Sequence, residues 1–304
     1  MVPVREKPHR TSVLVAERLC AKEGQNMAVN PKPGLNRLLR ADGRAVMVAM
    51  DHARLGGVVA RLEDPANAIE AVIAGGADAI MTSYGVIKHF DHRMQGRVGR
   101  ILRLDTGPSK YREGWDEYTE WFRPYSVEDG LRLGVDGVIV NGFLGLAVDA
   151  TTLRIMGETA SAADKWGIPF MAEVHPCPCP RIQDPFAPEQ VADAARIGAE
   201  FGADLIKTYY TGDADGFRVV TSSCPIPVLI AGGPKTESTA DLFEMVHGMI
   251  SGGGKGTVIG RNIWQGDDVV AVTRGIVSIV HGGASVEQAL SVYDCVREAT
   301  AASV

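Results

Sequence analysis

The sequence predicts a closed (β/α)8 barrel, a single catalytic domain of α/β class, and three features of its 304 residues predict it. Eight short apolar runs recur along the chain. Helical patterns alternate with them, so neighbouring strands would be parallel and covered on both faces. Titratable residues and glycines gather where the runs end, and in such barrels the chemistry lies at the C-terminal ends of strands. The other architecture built from alternating strands and helices is a doubly wound open sheet. No Gly-x-Gly-x-x-Gly follows the first run, which weighs against a dinucleotide-binding version of it.

Residues 1–33 are basic and polar, contain Pro3, Pro8, Pro31 and Pro33, and show little periodicity. They are expected to form an extended N-terminal arm with at most one short helix around residues 13–21, leaving 34–304 as the barrel. Such an arm either packs across a neighbouring subunit or stays solvated; a homo-oligomer is the expectation. The first strand is Ala45-Val46-Met47-Val48-Ala49-Met50, ending at Asp51-His52. Asp64-Pro65 then opens a helix with proline at its first position, and Ala68, Ile69, Val72 and Ile73 form its apolar stripe. The second strand is Ala77-Asp78-Ala79-Ile80-Met81-Thr82, and the third, more mixed, is Arg100-Ile101-Leu102-Arg103-Leu104-Asp105.

The insertion over residues 107–123, with Trp115, Tyr118, Trp121 and Phe122, is long for a βα loop and reads as a lid or an oligomer contact. Ser126-Val127-Glu128-Asp129 starts a helix that leads to strand 137–140. A helix over 149–165 and strand 169–174, ending at His175-Pro176, come next. A helix over 187–201 then leads into Ala203-Asp204-Leu205-Ile206-Lys207-Thr208, and a short one over 216–222 into 227–231 and Gly232-Gly233. The helix over 238–251 feeds strand 256–259, which ends at Gly260-Arg261-Asn262. A helical region from about residue 269 completes the chain.

Composition bounds the function. Hydrophobic residues at 45% and charged residues at 22% are ordinary for a globular enzyme. A net charge of −6 argues against nucleic acid as a partner, because phosphate-backbone binding needs a clustered cationic excess. Cys20, Cys177, Cys179, Cys224 and Cys295 are odd in number and scattered, as suits a reducing compartment. No signal-peptide core and no run of 18 apolar residues is present, so the expectation is a cytoplasmic protein with no membrane partner.

On the barrel reading one rim carries Asp51 and His52, Glu173 and His175, Lys207, Gly232-Gly233 and Gly260-Arg261. Lysine is rarely buried without a partner or a task, so Lys207 is either an ion-paired strand-end residue or a desolvated amine able to form a Schiff base with a carbonyl. Asp51 would then move protons, or else merely satisfy its loop. The glycines of two consecutive strand-end loops, with Arg261, suit a phosphate, although turn geometry alone would also use them. His175-x-Cys177-x-Cys179 has a metal-like spacing, but no fourth ligand is evident and the three interleaved prolines suit a stiff loop; no metal is expected.

Asp51-His52, Ile206-Lys207-Thr208-Tyr209-Tyr210-Thr211-Gly212-Asp213, Ile230-Ala231-Gly232-Gly233-Pro234-Lys235 and Ile259-Gly260-Arg261-Asn262-Ile263-Trp264-Gln265 together resemble the archaeal-type class I aldolases. That family includes fructose-1,6-bisphosphate aldolase, amino-dideoxy-heptulosonate synthases and the thiolases acting on phosphorylated autoinducer-2. The resemblance spans about residues 34–295 and implies a (β/α)8 barrel, Schiff-base chemistry without cofactor or metal, and a phosphorylated sugar or ketone substrate. It also implies Lys207 as the Schiff-base lysine, Asp51 as its acid/base partner, and Gly232, Gly233, Gly260 and Arg261 as the phosphate site. Where the fructose-bisphosphate enzymes carry Tyr-Pro with the tyrosine as proton donor, this chain has His175-Pro176, and an imidazole can do that work near neutral pH. The third residue of the first loop is Ala53 where the family usually has glycine. Acyl transfer on a phosphorylated diketone, as in the thiolase branch, and a non-catalytic barrel that binds a phosphorylated ligand are the alternatives.

Overall fold

The computed structural model describes residues 32–302. Eight strands close into a parallel barrel in sequence order, β1 (Ala45–Ala49), β2 (Ala79–Thr82), β3 (Gly99–Arg103), β4 (Gly137–Leu144), β5 (Phe170–Pro176), β6 (Leu205–Thr208), β7 (Val228–Ala231) and β8 (Gly256–Ile259). The last pairs back onto the first, with Val48 opposite Ile259. The expected arm falls almost wholly on residues 1–31, outside the described residues. Among the described residues no helix is long and apolar enough to cross a membrane.

The strands are buried along their length, save for the last residue of β7, Ala231, because their two faces meet different cores. Inside the barrel Met47, Met81, Ile101, Ile139, Met171, Leu205, Leu229 and Val258 pack together, and Leu38 of the short helix α1 (Leu35–Leu38) belongs to the same cluster. The alternate residues, such as Val46, Val48, Ile80, Leu102, Val138 and Ala172, pack against the surrounding helices. Fully burying each large apolar side chain is worth about 1.5–3 kcal/mol, so the two-sided strands carry much of the stability. Within each strand the inward residues alternate with the outward ones, odd-numbered in β1 to β7 and even-numbered at Val258 of β8, and the period of two continues up each strand to the C-terminal rim.

The helices begin where local chemistry allows. Asp64 caps α3 (Pro65–Gly75), accepting from the backbone of Ala66 and Asn67, after the single-turn α2 (Ala53–Gly56). Helix α4 (Tyr84–Met94), which follows β2, is too polar to stand out in the sequence and buries only Ile87 and Met94. Ser126 and Asp129 form a reciprocal capping box on α5 (Val127–Leu133). After α6 (Asp149–Trp166) comes α7 (Pro188–Glu200), which seats on β5 and β6 through Gly198. A Cβ there would lie 2.7 Å from Ile206 and 2.9 Å from Val174, so a side chain would push the helix off the strand that carries Lys207. Next are α8 (Ala214–Ser223), α9 (Thr239–Ser251), itself boxed by Ser238 and Asp241, and the four-residue α10 (Arg261–Trp264). The helical end of the chain is two helices, α11 (Val269–Val280) and α12 (Val286–Ala302), separated at Gly282-Gly283.

Strands β4 and β5 run past their expected ends because they pair with each other through seven successive residues, up to Leu144 opposite Pro176. That extension carries His175 upward on a strand rather than a loop. The insertion after β3 folds back on the rim. Thr106 and Phe122 form an antiparallel bridge, and Trp121 is buried.

Candidate functional site

Lys207 and Glu173 lie opposite each other in the β5–β6 register, both facing the barrel axis two residues above Leu205 and Met171. Lys207 Nζ stands 2.7 Å from Glu173 Oε1, and both side chains are buried. The same Glu173 Oε1 lies 3.1 Å from His175 Nε2, while its other oxygen, Oε2, accepts from the Arg103 guanidinium. Arg103 is the hub of the site. Its Nε reaches Asp51 Oδ2 at 3.1 Å and its NH1 reaches Asp105 Oδ1 at 3.3 Å.

Arg54, from α2, completes the set by donating to Asp51 Oδ2 at 2.6 Å and to the Asp105 carbonyl at 3.2 Å. Asp105 is held further by the Trp121 indole N–H at 2.6 Å and the Asn141 backbone N–H at 2.6 Å. The formal charges balance: three carboxylates (Asp51, Asp105, Glu173) face three cations (Arg54, Arg103, Lys207). A buried ionic cluster is tolerable only when paired and hydrogen-bonded in this way.

The electrostatics follow from this layout. Burial presses the Lys207 ammonium below the ordinary lysine range; Glu173 opposes the shift, and Arg103 adds to it. Burial alone would raise Glu173, but Lys207 and Arg103 outweigh it and hold the carboxyl well below its usual range. The same contest at Asp51 is won by Arg54 and Arg103, which keep it ionised. A lysine whose proton is easier to lose, set among groups that welcome a positive nitrogen, suits an amine that becomes a protonated imine.

Aromatic rings wall one side. His175 stacks on Tyr209 at 4.3 Å between ring centroids, and Phe186 lies tilted against Tyr209 at 4.8 Å. Phe143 lies against Tyr118 at 4.7 Å and edge-on to Trp121 at 4.9 Å. Tyr118 and Trp121 come from the insertion, so it roofs the β3–β4 side of the site. His175 Nδ1 is buried without a hydrogen-bond partner among the described residues. His52 contacts Asp51 only at 3.7 Å and packs edge-on against Trp264, whose indole N–H donates to the Ala49 carbonyl at 3.0 Å.

The glycine loops meet one another. Arg261 NH2 donates to the Gly233 carbonyl at 2.9 Å, and the Asn262 amide donates to the carbonyls of Gly232 at 2.8 Å and Pro234 at 3.0 Å. A Cβ on Gly260 would lie 2.8 Å from the Ala49 carbonyl oxygen and 2.8 Å from the His52 ring, so only glycine fits there. A pocket lined in part by Tyr209, Tyr210, Gly232, Gly233, Lys235 and Thr236 opens beside these loops. Lys207, Asp51 and His175 thus share one charged network, and Gly232, Gly233, Gly260 and Arg261 form a second group on the same rim.

Among the described residues no three His, Cys, Asp or Glu side chains converge as a ligand set for a metal. Cys177 Sγ lies 3.5 Å from the His175 carbonyl, and burial pushes its thiol up to about 12. Arg54, Arg103, Asp105 and Trp121 were not singled out from the sequence as site residues. The parity of β3 could have revealed two of them, because Arg103 and Asp105 continue the inward face of Ile101.

A family description, the DeoC/LacD family aldolases, matches residues 45–266. An uncharacterised aldolase of Saccharolobus solfataricus is 29% identical over 263 residues, covering 82% of this chain and 94% of that protein. A 2-amino-4,5-dihydroxy-6-oxo-7-(phosphonooxy)heptanoate synthase of Streptomyces griseus is 29% identical over 248 residues, covering 81% and 89%. The solved structure of a Schiff-base-forming fructose-1,6-bisphosphate aldolase is 28% identical with a TM-score of 0.75, covering 83% of this chain and 100% of that one. The closed parallel barrel, its charged C-terminal rim and a family match over most of the chain agree, and the protein belongs to the DeoC/LacD family of aldolases.

Proposed function

We propose that the protein makes or breaks a carbon–carbon bond in a phosphorylated ketose or ketone through a Schiff base at Lys207. The observation that carries this reading is the buried Lys207–Glu173 contact at the end of β6, inside a network whose charges balance when Nζ is positive. An iminium keeps that positive charge, so the network suits both the resting ammonium and the covalent intermediate, while burial lowers the cost of exposing the neutral amine in between.

In this reading the Lys207 lone pair attacks the substrate carbonyl carbon, and loss of water gives the iminium. The iminium then draws in the electron pair of the breaking C–C bond as a base takes the proton of the adjacent hydroxyl. His175 is assigned that proton exchange, and Asp51, fixed by Arg54 and Arg103, supplies a carboxylate to the same charged network. The loops at Gly232-Gly233 and Gly260-Arg261 are assigned the substrate phosphate, with Arg261 as its charged donor. The synthase and the fructose-bisphosphate enzyme are both named for phosphorylated compounds, which supports this class.

The test is covalent capture. Incubation with dihydroxyacetone phosphate or fructose 1,6-bisphosphate and sodium borohydride is expected to add the reduced ketone to Lys207, located by peptide mapping. Lys207→Ala should fold and lose both the adduct and turnover; an adduct on another lysine, or turnover above a few per cent of the parent rate, would sink the assignment.

A further inference from the structure

The insertion after β3 brings a side chain over the site that no barrel strand supplies. Its anchor is Trp121, whose indole N–H is spent on Asp105 at 2.6 Å. Three residues earlier Tyr118 stands on a left-handed backbone, φ 50°, which a residue with a side chain rarely adopts unless its surroundings hold it there. Its ring is held on Phe143 at 4.7 Å and against Trp121 at 5.9 Å. Phe143 in turn faces His175 at 6.5 Å, and His175 faces Tyr209 at 4.3 Å, so one aromatic band runs from the insertion across the ends of β4, β5 and β6.

Two phenol hydroxyls lie on this band, and neither hydrogen-bonds to a described residue. Tyr118 feels Glu173 of β5, Arg54 of α2 and Arg261 of the β8 loop at once, and Tyr209 feels Glu173, Tyr118 and Arg261, so both hydroxyls border the same mouth. Burial pushes both phenols upward and Glu173 adds to it, so both stay protonated, able to donate as well as accept. Tyr118 still keeps 36% of its surface exposed, within reach of a ligand. The guanidiniums of Arg54 and Arg103 are already committed to Asp51, Asp105 and Glu173, so the network spares no cation for a charged group here.

We propose that Tyr118 and Tyr209 are specificity-determining residues whose hydroxyls bind those of an uncharged, polyhydroxylated carbon chain, the aldehyde half of the substrate. The inference rests on the Schiff-base reading above and extends it to the part of the substrate beyond the reacting carbonyl. In the eight-stranded barrel the β3–β4 side, which Tyr118 roofs, lies across the axis from β7 and β8, whose loops are assigned the phosphate. A ketose with its phosphate at those loops and its carbonyl carbon on Lys207 therefore extends its remaining carbons toward the band. Ring faces pack against the C–H edges of such a chain, and the phenols replace the water that its hydroxyls give up.

Dihydroxyacetone phosphate and fructose 1-phosphate share the phosphate and the ketone, and differ by the hydroxylated chain beyond them. The concentration of each that gives half-maximal borohydride trapping at Lys207, read by peptide mapping, isolates that chain without requiring turnover. Tyr118→Phe and Tyr209→Phe keep each ring and delete one hydroxyl. In each variant the half-maximal concentration for fructose 1-phosphate should rise about three- to tenfold relative to that for dihydroxyacetone phosphate, the size of one neutral hydrogen bond. A ratio at the parental value in either variant would overturn the proposal, and so would an equal rise for both ligands, which would place the hydroxyl at the amine or the phosphate. A parent that traps dihydroxyacetone phosphate but not fructose 1-phosphate would overturn it as well. Absence of an adduct with either ligand in the parent would instead count against the Schiff-base reading on which the proposal rests.

Discussion

At the scale of single residues the site is organised by a buried arginine. Arg103 neutralises carboxylates from β1, β5 and its own strand end, and it presses Lys207 downward by charge repulsion. Its removal has two separable consequences. Arg103→Leu leaves Asp51, Asp105 and Glu173 short of one cation in a buried setting, and losing one partner of such a cluster typically costs about 3–5 kcal/mol. Urea unfolding should report that loss directly. In the surviving folded protein Lys207 loses a cation that lowered it, so the neutral-amine limb of its modification by cyanate should move to higher pH. A limb that stays in place or moves down would mean that burial, not Arg103, sets the amine's behaviour.

At the scale of elements, much was legible and the rest was non-local. Asp64-Pro65, Ser126 and Ser238 mark helix starts because capping is satisfied by residues two or three positions away, and all three caps form. The barrel could be read because each strand is apolar on both faces, and Lys207 stood out as a charge within such a run. The extension of β4 and β5 could not, since it depends on pairing between segments some 30 residues apart. Nor could the tie from Trp121 to Asp105, or the convergence of Arg54 and Arg103 on Asp51, which depend on closure of the rim. The phosphate assignment belongs to this scale, because it needs two loops in register. Arg261 already reaches across to the β7 loop through Gly233. Arg261→Ala should therefore raise KM more than it lowers kcat, by the roughly 1.5–3 kcal/mol of a charged hydrogen bond. A kcat loss matching the loss in kcat/KM would place the arginine in the chemical step instead, and equal losses with an unphosphorylated analogue would remove its link to phosphate.

At the scale of the whole molecule the two ends of the barrel do different work. The C-terminal rim holds the charged network, whereas the N-terminal end is closed by a clasp remote from it. His281, at the end of α11, places Nδ1 2.7 Å from Asp42 and Nε2 2.8 Å from Asp78, which stand just before β1 and β2. Asp78 also accepts from the Val46 backbone N–H at 2.6 Å, and Arg44 donates to the Val280 carbonyl at 2.9 Å, so the last helix of the barrel proper is tied to the first two strands. Burial acts downward on His281, but the two carboxylates prevail and raise it above an ordinary imidazole. A raised histidine stabilises the fold fully below its unfolded value of about 6.5, and the contribution is lost as pH rises through the folded value. Asp42 is lowered against the upward pull of burial by His281 and Arg44, so its share is present above about 3.9 and lost on acidification. The clasp should therefore stabilise most between these limits. Urea midpoints of the parent and His281→Gln should differ most near pH 6 and converge as pH rises through the folded value of His281, with borohydride trapping at Lys207 unaltered. A difference that stayed constant across that range would show that His281 acts through packing, and one that grew with pH would reverse the assigned protonation.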